Sequence, residues 1–360
     1  MVEQLTGPEL VALVRRVFQP QPDETTLAIL VDLPDAKVSD DADWAARRAI
    51  AVEWVQDLSA QRAELGLNTH LVVYPNVHTN NGDLPERAWL HGSGPLPSAE
   101  SLAPAASISF ADLYATHPIL IAITKFSATA PLKLAAKKHP IRAATMPGFR
   151  ADMIPALRLD YVEVNRRVDI LKDLLDRAEG ADFRFGTPSG PCDLHVDLRH
   201  RTGHASGGLL PKPGVAGNLP SGEAYIVPYE GELPDDPSRT AGLMPVQFGA
   251  EIVRYRIVQN QALEVISEGP KSREEAVLLA KEPAYGNLAE LGLHLAFGRS
   301  DHFGGQVGPA QFSGPEAVIH IDRVYVPETQ PDVQVLTVDL KLADGSSIAL
   351  MRAGAYTVGF

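Results

Sequence analysis

The stretch Leu27-Ala-Ile-Leu-Val-Asp-Leu33 is apolar at six of its seven positions, which is typical of a short strand buried on both faces. The pattern from Trp44 to Leu65 predicts a helix, and Thr69-His-Leu-Val-Val-Tyr74 predicts a second strand. Strand, helix and strand within so short a span indicate a parallel α/β unit. Further along, the apolar run 118–124 predicts another central strand, and residues 160–179 predict a long helix.

The pattern changes after residue 180. Cys192-Asp-Leu-His-Val-Asp-Leu-Arg199 alternates apolar and polar residues, as a half-exposed strand does. We predict further strands at 224–228, 251–258, 317–326, 334–342 and 347–352, and helical segments near 273–281 and 287–295. The sequence therefore predicts two domains: an α/β domain at 1–175 with a mostly parallel sheet, and a β-rich α+β domain at 176–360.

Composition limits the classes of partner. The chain has 45 Asp and Glu against 32 Lys and Arg, a formal net charge of -13, so it offers no basic surface of the kind that binds nucleic acid or an anionic membrane. We therefore expect a peptide or small-molecule substrate. The single cysteine, Cys192, excludes an internal disulfide and a cysteine-rich zinc site, so a metal would have to be held by carboxylates and histidines.

Targeting signals are not recognisable in the sequence. The first residues lack the basic start and apolar run of a signal peptide, and no stretch approaches the roughly 20 apolar residues of a membrane span. We expect a cytoplasmic protein that is not inserted in a membrane.

A carboxylate follows a tight turn in Gly217-Asn-Leu-Pro-Ser-Gly-Glu-Ala-Tyr-Ile-Val-Pro228. The Pro-Ser-Gly sequence directly before Glu223 allows the backbone to approach a bound ion closely. This favours Glu223 as a metal ligand, and the alternative is the last polar residue of a solvated turn.

Two later segments offer further ligands. In Glu290-Leu-Gly-Leu-His294 the two polar side chains share one face if the segment is a helix, which suits either a metal or a simple pair. His320 and Asp322 alternate in a predicted strand, so both project to one face about 6.5 Å apart along it. A cross-strand charge pair is the alternative.

A competing group lies at His195, Asp197, His200 and His204. Because the apolar residues between them take the buried face, we expect His195 and Asp197 to point outward, which disfavours a metal site here. Nucleophilic catalysis has little support, since Ser221 lacks a Gly-x-Ser-x-Gly setting and Cys192 lacks an assigned histidine partner.

These motifs together resemble the thermophilic aminopeptidase family of metallopeptidases, whose superfamily includes the iron-dependent 2,5-dihydroxypyridine dioxygenases. The similarity covers most of residues 140–360. It rests on the Asn-Leu-Pro-x-Gly-Glu turn that ends at Glu223, on Asn287-Leu-Ala-Glu-Leu-Gly292, on His294-Leu-Ala-Phe-Gly298, and on the His320-Ile-Asp322 strand. The first half resembles the family only in its α/β pattern.

The resemblance implies that Glu223, Glu290, His294, His320 and Asp322 hold divalent ions, zinc, cobalt or manganese. It also implies hydrolysis of peptides or small amides, in which a metal-activated water attacks and a glutamate, Glu223 or Glu290, takes its proton. A homodimer is implied as well, with added support from the apolar C-terminal run 348–360.

One departure from the family pattern is the absence of the insert that normally separates the Glu-Leu-Gly turn from the His-x-Ala-x-Gly motif. Here Glu290 and His294 are only four residues apart, so we expect at most one well-occupied metal position. Two alternatives to the hydrolase stay open. One is a metal-free protein that binds a peptide or substrate on the same scaffold, and the other is a ring-cleaving dioxygenase with a single iron.

Overall fold

The computed structural model describes residues 3–295, 299–300, 305–306, 319–323 and 333–360, with the backbone alone described at 299–300, 305–306 and 319–323. The helices are α1 (Gly7–Phe18), α2 (Ala42–Ala60), α3 (Arg62–Leu65), α4 (Phe110–Thr116), α5 (Thr129–Ala136), α6 (Ile154–Leu157), α7 (Tyr161–Arg177) and α8 (Pro270–Lys281). Short 3-10 turns lie at Ala99–Ser101, Pro104–Ala106, Ala151–Met153 and Pro283–Gly286.

The strands of the first part of the chain are β1 (Thr26–Leu33), β2 (Asn68–Pro75), β3 (Arg87–His91), β4 (Ser107–Ser109), β5 (Ile119–Ala122), β6 (Arg142–Thr145), β7 (Ala178–Gly186), β8 (Cys192–Asp197), β9 (His204–Ser206), β10 (Val215–Asn218) and β11 (Glu223–Ile226). Those of the remainder are β12 (Ala241–Phe248), β13 (Glu251–Val258), β14 (Gln261–Val265), β15 (Leu288–His294), β16 (Arg299–Ser300), β17 (Gly305–Gln306), β18 (Ile319–Arg323), β19 (Gln334–Leu342), β20 (Ser347–Arg352) and β21 (Ala355–Tyr356).

The chain forms two compact units, and each unit is built from two segments. The first unit contains residues 1–161 and 208–221, and the second contains 162–207 and 222–360. The predicted domains were continuous segments that met at residue 175. The units differ from them in two places, because 162–175 lies with the second unit and 208–221 lies with the first.

The first unit contains a seven-stranded sheet in the order β10-β6-β5-β1-β2-β3-β4. Five neighbouring strands, from β10 to β2, are parallel, and β3 and β4 extend the sheet in antiparallel fashion. This confirms the predicted parallel α/β unit. Seven of the eight residues of β1 are buried, as the apolar run indicated. Leu30, Val72 and Leu120 share one core cluster with Phe110 and Leu132, which come from α4 and α5.

The second unit is rich in antiparallel strands. It contains a four-stranded sheet, β18-β15-β11-β9, an eight-stranded sheet, β14-β13-β12-β8-β7-β19-β20-β21, and the short pair β16 and β17. The predicted strands at 192–199, 224–228, 251–258, 334–342 and 347–352 are confirmed within a few residues of their ends. Of the strand predicted at 317–326, residues 319–323 form β18, and the rest lies outside the described residues.

The predicted helix at 287–295 is wrong, because Leu288–His294 forms strand β15. Leu291, Leu293 and Leu295 are each 1% exposed and alternate with Glu290, Gly292 and His294, a period of two that fits a strand. A register irregularity between Leu288 and Glu290 sets the start of this alternation.

The apolar C-terminal run is largely covered by the chain itself. Leu350 and Met351 are fully buried and Tyr356 is 7% exposed, so this run does not need a second subunit to cover it. The expectation of a homodimer therefore rests on the family resemblance alone. No helix within the described parts of the chain has the length and apolar content needed to cross a bilayer.

Candidate functional site

The four-stranded sheet of the second unit brings the predicted ligands onto three adjacent strands. Glu223 on β11 is the register partner of His294 on β15. Further along β15, Glu290 pairs with Asp322 of β18, and Gly292 pairs with His320. Residues far apart in sequence thus occupy neighbouring positions in one sheet. The side chains of His320 and Asp322 lie outside the described residues, so their register positions are what the structure gives.

One face of this sheet is apolar and buried, and that burial determines where the polar residues point. Ala224 and Ile226 of β11 are fully buried, and Leu291 and Leu293 of β15 are 1% exposed. Because successive side chains of a strand alternate between faces, the residues between them project to the opposite face. That opposite face, which we call the polar face, carries Glu223, Tyr225, Glu290 and His294.

Glu223 and His294 are register partners on the polar face, and their side chains contact each other. The distance from His294 Nε2 to Glu223 Oε1 is 3.5 Å, and the two side chains are 10% and 16% exposed. Two hydrogen bonds to backbone carbonyls hold the end of β15 in place. The Tyr356 hydroxyl donates to the His294 carbonyl at 3.1 Å, and the Leu295 amide donates to the Gly222 carbonyl at 2.8 Å. An imidazole and a carboxylate are therefore held together where little solvent reaches them.

The polar face includes Tyr225, which was not among the predicted site residues, and His204, a member of the competing histidine group. Tyr225 lies opposite both Gly292 and His204, and its ring stacks on the His204 ring with centroids 5.0 Å apart. Burial, followed by the negative charges of Glu290 and Glu223, raises the pKa of Tyr225, so its phenol stays protonated at neutral pH. The signal for Tyr225 was present in the sequence, since it lies two residues after Glu223 in an alternating strand.

The described side chains fit a metal site in part. No group of three or more His, Cys, Asp or Glu side chains within the described residues is placed to hold an ion. Glu223 and His294 supply one carboxylate oxygen and one imidazole nitrogen, a donor set that suits zinc, manganese, cobalt or iron. Further ligands would have to come from neighbouring strand positions, and those opposite Gly292 and Glu290 belong to His320 and Asp322.

The strand conformation of Leu288–His294 removes one reason for expecting at most one metal ion. On a helix, Glu290 and His294 would lie about 6 Å apart along the axis. On strand β15 they lie about 13 Å apart. They share a face in both cases, but the extended spacing places them at two ends of the polar face rather than around one point. The number of ions that the site holds therefore does not follow from this spacing.

The competing histidine group does not form a site. Its members have separate partners: His195 Nδ1 contacts Asp182 Oδ1 at 2.7 Å, Asp197 pairs with Arg199 at 2.7 Å, His200 contacts Asp236 at 3.2 Å, and His204 stacks on Tyr225. The expectation that Asp197 points outward is wrong, because it is fully buried. It is held there by Arg199 and by the Arg239 amide, and although burial raises the pKa of Asp197, these donors lower it below its ordinary value.

Cys192 is buried at 1% exposure, and burial raises the pKa of its thiol. A raised pKa leaves little thiolate at neutral pH. This agrees with the weak case for nucleophilic catalysis at this residue.

Comparison with known proteins shows that the chain shares its fold with solved structures. No protein-family model matches the chain, and no curated protein matches it in sequence. Among solved structures, it is similar to the 2,5-dihydroxypyridine dioxygenase from Pseudomonas putida KT2440, with a TM-score of 0.61 at 14% identity over 99% of each chain. It is also similar to wild-type AmpT from Thermus thermophilus, with a TM-score of 0.53 at 15% identity over 98% of this chain and 99% of that one. The chain shares their mixed α/β fold over nearly its whole length.

Proposed function

We propose that the chain is a divalent-metal-dependent hydrolase that acts on peptides or small amides at the polar face of the four-stranded sheet. The observation that carries this proposal is the pairing of Glu223 with His294 at 3.5 Å, on a face where Glu290 also lies. An imidazole beside carboxylates in a largely buried position is the donor chemistry of a catalytic zinc or manganese site. The fold shared with AmpT agrees with this assignment.

Two of the proposed metal ligands have described side chains, and two are assigned from their register positions alone. Glu223 and His294 would each contribute one donor, and His320 and Asp322 are assigned by their register positions beside Gly292 and Glu290. Divalent ions bound here would lower the pKa of a coordinated water and so supply a hydroxide nucleophile at neutral pH.

The other residues of the polar face would handle protons and bind substrate. The Glu290 carboxylate, the register partner of Asp322, is our candidate general base, because it can accept a proton from an attacking water held at that end of the polar face. Tyr225 keeps its phenolic proton and can donate a hydrogen bond to a substrate oxygen. Gly292, opposite Tyr225, has no side chain and leaves space on this face for the substrate.

Metal content and peptide hydrolysis test the proposal together. The protein is stripped of metal, reloaded with zinc, cobalt or manganese, and assayed by elemental analysis and by release of N-terminal residues from short peptides. We expect metal-dependent turnover. We also expect Glu223→Gln to weaken metal affinity at least about 100-fold, which is the upper end of the loss caused by removing outer-shell partners.

Glu264→Gln provides the matched control for this experiment. Glu264 is 54% exposed and pairs with Arg256 on the surface of the second unit, so the same chemical change there should leave metal affinity unchanged. If Glu223→Gln binds metal and turns over peptide as the unaltered protein does, the assignment of the site is refuted. If no metal binds and a peptide still associates, the metal-free binding protein replaces the hydrolase.

The second candidate function is a ring-cleaving dioxygenase with a single iron. It is favoured by the similarity to the 2,5-dihydroxypyridine dioxygenase, which has the higher TM-score of the two structures compared, 0.61 against 0.53. One histidine and one carboxylate are also part of the ligand set that non-haem iron uses in oxygenases. Iron loading under anaerobic conditions, followed by oxygen uptake with a dihydroxylated pyridine, separates this function from peptide hydrolysis.

The cellular setting of this function is also a proposal. We propose a cytoplasmic homodimer; the dimer is what the family resemblance implies. Light scattering at micromolar concentration tests the dimer, and a monomer would refute it.

A further inference from the structure

A cavity of about 580 Å³ lies in the first unit, between helix α2 and the segment 149–154. This volume is in the range of small-molecule sites. Its apolar wall includes Ile50 and Trp54 of α2, together with Phe149 and Ile154. Trp54 packs edge-on against Phe149 with ring centroids 5.6 Å apart, and both rings are nearly buried, so the more accessible apolar lining comes from Ala46, Ala49 and Ile50.

The cavity also contains one deeply buried cation, Arg47. Its side chain lines the cavity although the residue is only 6% exposed. Its Nε donates to the Phe149 carbonyl at 2.9 Å. Within the described part of the chain, no carboxylate lies within 4.0 Å of this guanidinium, and its terminal amino groups have no hydrogen-bond acceptor. A buried charge is costly unless it is paired, so this guanidinium is a candidate group to receive an anionic ligand.

The other buried arginines show that pairing is the rule in this protein. Arg48, 8% exposed, pairs with Asp40 at 2.6 Å. Arg142, fully buried, pairs with Glu24. Of the three arginines that the described residues bury to this extent, Arg47 alone lacks a carboxylate partner.

The acidic groups near Arg47 are engaged by other donors. Asp32 contributes an attractive charge, but its oxygens accept from Trp44 Nε1 at 2.9 Å, from the Lys125 amide at 2.8 Å and from the Phe126 amide at 3.0 Å.

The acids at the rim of the cavity have partners of their own. Asp43 and Asp152 share Arg150 at 3.8 and 3.3 Å, Glu3 pairs with Arg158 at 2.8 Å, and Glu53 accepts from Gln4 at 3.4 Å. Four carboxylates, Glu3, Asp43, Glu53 and Asp152, and two arginines, Arg47 and Arg150, line the cavity, and of these two guanidiniums only that of Arg47 has no carboxylate partner among the described residues.

We propose that this cavity binds a small organic monocarboxylate with an aromatic or other apolar body. The carboxylate accepts from the terminal amino groups of Arg47, whose planar fork matches the geometry of a carboxylate. The apolar body packs against Ala46, Ala49 and Ile50 of α2. The site lies wholly within the first unit and does not depend on the proposed hydrolase function.

Three probes of one shape test the role of charge: phenylacetate, its neutral amide and the cationic phenethylamine. Titration calorimetry and tryptophan fluorescence on the full chain measure their affinities. We expect phenylacetate to bind, the amide to bind at least about tenfold more weakly, and the amine to bind weakest. Equal affinity for acid and amide would refute the part assigned to Arg47. A preference for the amine would show that the acidic rim recognises the ligand instead.

Variants at exposed positions of α2 test the location without disturbing the core. Ala49 lines the cavity and is exposed, so Ala49→Phe should fill it and weaken phenylacetate binding at least about tenfold. Ala45 is exposed on the same helix and does not line the cavity, so Ala45→Phe is the matched control and should bind normally. Arg47→Met should abolish the preference for acid over amide.

Two outcomes of these measurements would overturn the proposal. One is undiminished phenylacetate binding in Ala49→Phe. The other is no binding at about 10 mM by any of a series of aromatic and aliphatic monocarboxylates, which would exclude even millimolar affinity.

Discussion

Two histidines in direct contact predict that the protein loses stability as the pH falls below about 6.5. His70 Nδ1 and His117 Nε2 lie 2.8 Å apart, and His117 is 4% exposed. The other ring nitrogen of His117 contacts the Thr116 hydroxyl at 3.0 Å. Burial first, and then the neighbouring His70, lower the pKa of His117 from its ordinary value of 6.5.

The size of the effect follows from the shared hydrogen bond. A nitrogen-to-nitrogen contact of 2.8 Å holds one proton between the rings, so the folded pair cannot carry a proton on both facing nitrogens. In the unfolded chain each imidazole takes its own proton below pH 6.5. The folded state therefore binds about one proton fewer, and the free energy of unfolding should fall by about 1.4 kcal/mol for each pH unit below that value. The lowered pKa of His117 determines the direction of the change in stability. The stability that the neutral folded ring contributes is fully present above pH 6.5 and is lost as the pH falls.

Urea unfolding between about pH 5 and pH 7.5 measures this slope, and His70→Gln tests its origin. A glutamine amide oxygen can accept from a protonated His117, so we expect the variant to lose the part of the slope that comes from the facing ring, while the part that comes from burial stays. His91→Gln is the control, because His91 contacts only the Gly94 carbonyl among the described residues, at 3.2 Å. Equal slopes in the unaltered protein and in His70→Gln would refute the argument.

Three further predictions concern stability, and each is measured by urea unfolding at pH 7. Arg142→Met should cost about 3–5 kcal/mol, because it leaves the Glu24 carboxylate without its buried partner, and a loss under 1 kcal/mol would contradict this. Leu293→Ala should cost about 2–5 kcal/mol because Leu293 is 1% exposed beneath the polar face, whereas Leu263→Ala, at a residue 51% exposed, should cost under about 0.5 kcal/mol. Thr6→Ala should cost about 1 kcal/mol by removing the capping box of α1, and an unchanged midpoint would count against that role.

The secondary structure of the first unit was accessible from sequence because its signals are local. The apolar run of β1, the helical pattern of α2 and the second run in β2 each depend on a short window of residues. The order strand, helix, strand then favours a parallel pairing, since parallel neighbours need a crossover of this length. The same locality explains the success with β8, where apolar and polar residues alternate.

The conformation of 288–294 was not settled by the residues that were used to predict it. Glu290 and His294 share a face on a helix and on a strand alike, because a spacing of four is compatible with both periods. The apolar residues carried the deciding signal, since Leu291, Leu293 and Leu295 repeat every second position. The strand conformation increases the distance between Glu290 and His294, and that distance decides whether one ion can contact both side chains.

The sequence by itself determined the α/β beginning, the β-rich remainder and the set of polar residues worth testing. Only the tertiary structure decided which of these residues lie next to one another. Register between β11 and β15 placed Glu223 beside His294, and the pairing of β10 with β6 placed residues 208–221 in the first unit. Packing of the segment 149–154 near α2 placed Arg47 in the lining of an apolar cavity. These contacts join residues from about 70 to more than 100 positions apart. Short-range periodicity carries no information about such contacts, because they depend on how whole elements pack.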